Sequence, residues 1–180
     1  MRIFPSYLSF LLYNPIRKVL TDRQKVLDES RITETSVVLE IGAGNGFITE
    51  AIAQRAKKVY AIEIQAGMVW KLKKRIKRYG DKVEIMWGDI TSCRIEEGVA
   101  DVAIIYYSFH EISNKTKAVQ NIAKALKREG IVSIYEPTIE VSKATMKNTI
   151  NMFETNGFLK EIERDGLFTR FVRLRKIKVV

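Results

Sequence analysis

Glu40 stands two residues ahead of a Gly42-Ala43-Gly44-Asn45-Gly46 run, which places a carboxylate beside a turn whose glycines let the backbone approach a ligand closely. A dinucleotide turn, G-x-G-x-x-G, needs its third glycine at position 47, but that residue is Phe47 and the third glycine is Gly46. Glu40 therefore suits a ligand with a positively charged amino group better than a pyrophosphate. Glu63, after Val59-Tyr60-Ala61-Ile62, can accept both hydroxyls of a ribose. Asp89, in Trp87-Gly88-Asp89-Ile90, can accept from the exocyclic amine of an adenine, with Ile64 and Ile90 as apolar walls for the ring. Each acid alone reads equally well as a helix cap or a turn residue. Three of them after three consecutive apolar runs, together with the glycine turn, read as one site.

A second group of candidates is Tyr106-Tyr107-Ser108-Phe109-His110-Glu111-Ile112. His110 is the only histidine, and an imidazole with an ordinary pKa near 6.5 could act as a general base; against this, a lone histidine before a helix is more often a structural hydrogen-bonding group. Tyr107 and Phe109 could stack on a flat substrate or pack beneath a cap.

The elements that must hold these residues follow from periodicity. Val37–Ile41, 59–62, 83–87, 102–106 and 131–135 are apolar, β-branched runs of strand length. Between them lie helical patterns at 47–55, after the second strand with Val69, Leu72 and Ile76 on one stripe and Lys71, Lys74 and Arg78 on another face, at 115–127 ending at Gly130, and at 142–155. Residues 159–162 and 169–174 alternate, with Asp165-Gly166 as the hairpin signal. Alternating strand and helix units with all-apolar strands predict an α/β fold: a doubly wound, mostly parallel sheet finished by an antiparallel C-terminal hairpin. Such sheets bind ligands at the carboxyl ends of their strands, where all the candidates fall.

Length and composition narrow the class. The chain has 180 residues, 46% hydrophobic and 29% charged, enough for one core and short for two domains, so a single domain over 1–180 is expected. The apolar stretch 3–13 lacks a cleavage site and runs into Asn14-Pro15-Ile16-Arg17; residues 1–30 are expected to form an N-terminal helical cap. Tyr7, Phe10 and Leu11 could be part of that cap or a dimer contact, so monomer and homodimer both stay open. No run is long enough to span a membrane, and one cysteine, Cys93, excludes an internal disulfide, so a cytoplasmic protein is expected. The net charge of +10 is confined to two segments: 65–82 carries +6 and 164–180 carries +5, leaving the rest near neutral. These are either solvated faces or nucleic-acid patches.

The combination Val38-Leu39-Glu40-Ile41-Gly42-Ala43-Gly44-Asn45-Gly46, Val59 to Glu63, Trp87-Gly88-Asp89-Ile90 and Leu126 to Ile131 resembles the class I S-adenosylmethionine-dependent methyltransferases over roughly residues 15–178. The resemblance implies a seven-stranded, Rossmann-like sheet with a reversed last hairpin. It implies S-adenosylmethionine as methyl donor, S-adenosylhomocysteine as product, and no metal. Glu40 and Gly42, Ala43, Gly44, Asn45 and Gly46 would meet the methionine part, Glu63 the ribose, and Asp89 with Ile64 and Ile90 the adenine. Tyr106 would lie beside the cofactor, with His110 and Tyr107 as candidate catalytic residues. The pattern is similar to small methyltransferases of the ubiquinone/menaquinone-biosynthesis type, which implies a small-molecule acceptor. The first half is also similar to rRNA adenine dimethyltransferases, which keeps RNA as an alternative. That family has Asn-Leu-Pro-Tyr after strand four, where this chain has Tyr106-Tyr107-Ser108-Phe109. Cys93 lies away from the position that cytosine C5 chemistry would need.

Overall fold

Val37–Ile41 is buried at four of five positions, as a strand must be when helices cover both of its faces, and Glu40 is its one charged residue. The computed structural model describes residues 22–177. In chain order the elements are α1 (Arg23–Glu29), β1 (Val37–Ile41), α2 (Phe47–Arg55), β2 (Lys58–Glu63), α3 (Ala66–Ile76), β3 (Val83–Trp87), β4 (Ala100–Tyr106), α4 (Lys115–Ala125), β5 (Leu126–Pro137), α5 (Lys143–Glu154), β6 (Phe158–Asp165) and β7 (Thr169–Lys176), with 3₁₀ turns at Lys77–Lys82 and Phe109–Glu111. The strands form one sheet in the order β3-β2-β1-β4-β5-β7-β6, parallel except that β7 runs antiparallel to both β5 and β6. The expected class and the reversed terminal hairpin are both present. Most of the expected cap lies outside the described residues, including Tyr7, Phe10 and Leu11; its last part forms α1, capped by Asp22, whose side chain accepts from the Lys25 N–H.

Side-chain alternation along the strands builds two cores. Val38, Val59, Val102 and Ile104 pack on Leu27 of α1, Ile48 and Ile52 of α2 and Leu72 of α3. Leu39, Ile41, Ala103 and Ile105 face the other way, onto Val119 and Ile122 of α4 and Ile150 and Phe153 of α5. On α3 the apolar stripe Met68, Val69, Leu72 and Ile76 is buried, and Leu72 alone contributes about 2 kcal/mol through its full burial. Its opposite face is solvated, with Trp70 exposed and the Lys74 Nζ 3.6 Å from that ring's centroid.

Two differences from the sequence reading have local causes. Helix α4 stops at Ala125 rather than Lys127, because Leu126 is fully buried and pairs with Ala100 of β4. The buried Lys176 Nζ donates to the Ala123 and Leu126 carbonyls, satisfying the helix end from β7. Gly130, expected to end the helix, lies within β5. The second basic segment is largely consumed inside the fold. Arg164 pairs with Glu29, and the Nε atoms of Arg173 and Arg175 lie 2.8 and 2.6 Å from Glu161, whose carboxyl stays below its ordinary range because these guanidiniums outweigh its burial.

From β1 the strand order runs one way through β2 to β3 and the other way through β4 to β5, so the connections leaving β1 and β4 diverge. The crevice that opens at their carboxyl ends is where ligands bind in open α/β sheets.

Candidate active site

Glu40 occupies the penultimate position of β1, on the face toward α2, and is 2% exposed. Its Oε2 is buried without a hydrogen-bond partner. Burial pushes this carboxyl up to about 8; the Thr49 hydroxyl and backbone oppose the rise, and the charge of Glu63 adds to it. The Thr49 hydroxyl does not reach hydrogen-bonding geometry. A buried carboxyl oxygen with no partner at the wall of a cavity is a candidate contact for a donor on a ligand.

The turn after β1 is held by the neighbouring strand. The N–H groups of Gly42 and Ala43 both donate to the Ile62 carbonyl at 2.9 Å. Gly42 has φ +73°, and a Cβ there would lie 2.4 Å from the Ser108 Cβ, so no side chain fits. Ser108 in turn donates from Oγ to the Ile41 carbonyl at 2.8 Å, locking the post-β4 loop against the turn. Gly46 is the exception among the glycines expected to meet a ligand. It does not line the cavity; a Cβ on it would stand 2.8 Å from Leu72, and its part is close packing of α2 on α3.

Glu63 accepts the Gly44 and Gln65 N–H groups at 2.7 Å each, so it braces the turn as well as facing the cavity. Burial raises its pKa against those bonds. Asp89 Oδ1 accepts the Thr91 N–H at 2.8 Å, which fixes this carboxylate across its own turn. Ile64 and Ile90 both line the cavity, Ile64 at the exposed lip and Ile90 buried. All the expected cofactor residues except Gly46 therefore share one cavity with His110 and Tyr107: Glu40, Gly42, Ala43, Gly44, Asn45, Glu63, Ile64, Asp89, Ile90 and Tyr106.

At the other end the Tyr106 and Tyr107 rings stack, with centroids 4.4 Å apart. Tyr107 sits at φ +59°, a strained conformation for a bulky residue, held by its N–H on the Tyr135 carbonyl at 2.8 Å and its hydroxyl on Thr169. His110 is bracketed by carboxylates: Nδ1 meets the buried Glu136, and Nε2 lies 2.7 Å from Glu140. Glu136 also accepts the Phe109 N–H at 2.8 Å. Burial lowers the histidine's pKa, but Glu136, Glu140 and Glu111 together outweigh burial and raise it.

The sequence reading missed Glu136 and Glu140 as site residues, and it placed Ser108 and Glu111 in its candidate segment without giving either a role. The signal for Glu136 was available, since it closes the carboxyl-end portion of β5, where the strand-end rule would have searched had it been extended one strand further.

A family model described as a methyltransferase domain matches residues 38–130. An uncharacterized methyltransferase of Geobacillus sp. (strain WCH70) is 28% identical over 144 residues, 79% of this chain and 66% of that protein. A probable ribosomal RNA small subunit methyltransferase A of Methanococcoides burtonii is 37% identical over 83 residues, 46% of this chain and 30% of that protein. This chain thus spans about two thirds or less of the length of these curated relatives. The crystal structure of an S-adenosylmethionine-dependent methyltransferase from Aquifex aeolicus superposes with a TM-score of 0.86 at 22% identity, covering 97% of this chain and all of that one, a likeness of fold.

Proposed function

The chain belongs to the class I S-adenosylmethionine-dependent methyltransferase family, and from that premise we propose that it transfers the methyl group of S-adenosylmethionine to a small-molecule acceptor. The observation that carries this reading is the unpartnered Oε2 of Glu40 at the cavity wall beside the Gly42 turn, a fit for the α-ammonium of the donor's methionine part. Glu63 would accept from the ribose hydroxyls, and Asp89 from the adenine amine between Ile64 and Ile90. When bound, S-adenosylmethionine supplies a methyl carbon made electrophilic by its sulfonium sulfur. The protein's part is alignment and exclusion of water: Glu40, Glu63 and Asp89 fix the donor, while Tyr106, Tyr107 and His110 shape the space for the acceptor. His110 holds its proton to a higher pH than a free imidazole, because carboxylates face both of its nitrogens. The two carboxylates that hold the ring support a positioning role for it.

Calorimetric titration with S-adenosylmethionine, S-adenosylhomocysteine and NAD tests the reading. Micromolar binding of the first two without NAD is expected, and no binding of either would overturn it.

An RNA acceptor is the second reading, supported by the partial match to ribosomal RNA methyltransferases and by the basic face of α3. It predicts binding of RNA that falls steeply with salt. Less favours it: the C-terminal arginines are spent on Glu29 and Glu161, and Tyr106 to Phe109 replace the Asn-Leu-Pro-Tyr segment.

A further inference from the structure

Where β2 and β3 end, the sheet stops supplying donors, and the carbonyls beyond need other partners. The last bond of this ladder runs from the Gly88 N–H to the Glu63 carbonyl at 3.0 Å. Past it stand the two residues expected to wall the adenine, and each has its carbonyl held by a side chain from outside the cavity lining. The Trp87 Nε1–H donates to the Ile64 carbonyl at 3.1 Å, from the residue that pairs with Glu63 across the strands. The Asn121 side-chain amide, on α4, donates to the Ile90 carbonyl at 2.8 Å. Ile64 and Ile90 line the cavity with Asp89; Trp87 and Asn121 do not. Burial does not account for the indole, since Trp87 is 67% exposed. Asparagine is a poor residue for a helix interior, and in α4 this one reaches back across 31 residues of chain to Ile90.

We propose that Trp87 and Asn121 are positioning residues for the adenine of the methyl donor, each acting through the backbone of one wall: Trp87 through Ile64, and Asn121 through Ile90. The inference rests on the S-adenosylmethionine reading above and extends it to two residues that do not touch the ligand. Ile64 stands at the exposed lip one residue past β2, where packing does little to fix it, and the indole N–H ties it to the end of β3. Ile90 is buried three residues past β3, and Asn121 ties it to α4. Asp89 lies in the same segment, two residues after Trp87 and one before Ile90, so the two bonds also fix the stretch of backbone that carries this carboxylate. Dispersion contact with a flat base fades within an ångström of extra gap. Walls ordered before binding therefore hold the base more tightly than walls the ligand must order itself.

The test titrates the native protein, Trp87→Phe and Asn121→Ala with S-adenosylhomocysteine and with 5′-methylthioadenosine, which share the nucleoside while only the first carries the amino-acid part. Trp87→Phe keeps a ring at an exposed position and removes only the donor, so it answers even where Asn121→Ala fails to fold. Each variant should weaken both ligands by the same factor, about fivefold, as expected when the ligand must order one more residue. The chain has two tryptophans, and the indole N–H signal that Trp87→Phe deletes from the proton NMR spectrum should shift when 5′-methylthioadenosine is added to the native protein. A merely structural role would lower the melting temperature and leave both affinities and that shift where they were. Unchanged affinities in either variant would overturn the proposal for that residue. A loss for S-adenosylhomocysteine without one for 5′-methylthioadenosine would overturn it for both, and an indole signal indifferent to the nucleoside would overturn it for Trp87. Failure of the native protein to take up either ligand would instead overturn the methyltransferase reading, and this inference would fall with it.

Discussion

Gly42 and Ser108 occupy one space: a Cβ on Gly42 would lie 2.4 Å from the Ser108 Cβ and 2.5 Å from its Oγ, the atom that bonds the Ile41 carbonyl. The glycine turn and the post-β4 loop are therefore parts of one joint, and the donor and acceptor ends of the cavity are set against each other through it. Gly42→Ala meets this contact and a φ of +73° together, so a loss of about 2 to 5 kcal/mol in stability is expected. Ser108→Gly removes the clash at the loss of one hydrogen bond, about 1 kcal/mol. In a double-mutant cycle by denaturant unfolding, the pair should cost at least about 1 kcal/mol less than the sum of the singles. Additive values would show that the contact is not what requires glycine.

Replacing Glu40 by glutamine separates binding from stability. Burial holds this carboxyl at about 8 against an ordinary 4.5, so its contribution to stability is fully present below 4.5 and is lost as pH rises to about 8. Glu40→Gln should therefore melt several degrees above the native protein at pH 8 and lose the corresponding pH slope. The same change removes the partner of the donor's ammonium, and affinity for S-adenosylmethionine should drop about 30-fold or more. A variant that is less stable at pH 8, or that binds normally, would contradict this account of the buried oxygen.

The parts of the fold that were legible are those where local pattern and tertiary environment agree. The runs at Val37–Ile41 and Val83–Trp87 match β1 and β3 to the residue, because an apolar, β-branched run flanked by turns has few alternatives in a parallel sheet. At Leu126 the helical period continues in sequence while pairing to Ala100 pulls the backbone into β5; that choice belongs to β4, not to the local residues. The acids of the donor end were legible because the strand-end rule acts on each strand separately. The same rule carried to β5 reaches Glu136 but not its role, which comes from the Tyr106–Tyr135 register that brings the end of β5, with Glu140 beyond it, under the loop carrying His110. Charge balance was misleading at 164–176 for the same reason: Arg164 finds Glu29 across 135 residues of chain.

Donor affinity should follow the same carboxyl. Below pH 8 Glu40 must give up its proton to receive an ammonium, so affinity should climb toward tenfold per pH unit up to about 8. Above that it should fall, as the ligand's own α-amino group, with an ordinary pKa of about 7.7 to 8.0, becomes neutral. At pH 7 binding should release close to one proton, seen in calorimetry as a heat that changes with the ionisation enthalpy of the buffer. A heat independent of buffer would rule out Glu40 as the titrating partner.

His110 and Glu136 make the last prediction, and its sign can be worked out from opposed causes. Burial depresses the imidazole while the Glu136 hydrogen bond and charge, with Glu140 and Glu111, raise it further, so its NMR titration midpoint should lie above the ordinary 6.5. The stability this group contributes is then complete below 6.5 and disappears as pH rises through the elevated midpoint. Glu136→Gln keeps an acceptor for the Phe109 N–H but removes the buried charge, leaving burial with weaker opposition. The midpoint should fall, and the loss of stability between pH 6.5 and the native midpoint should flatten. A purely structural Glu136 would change the melting temperature while leaving the His110 titration where it was. If Glu136 acts by holding a protonated ring in place, both should move, and methyl-transfer rate against pH should shift with the titration while donor affinity does not.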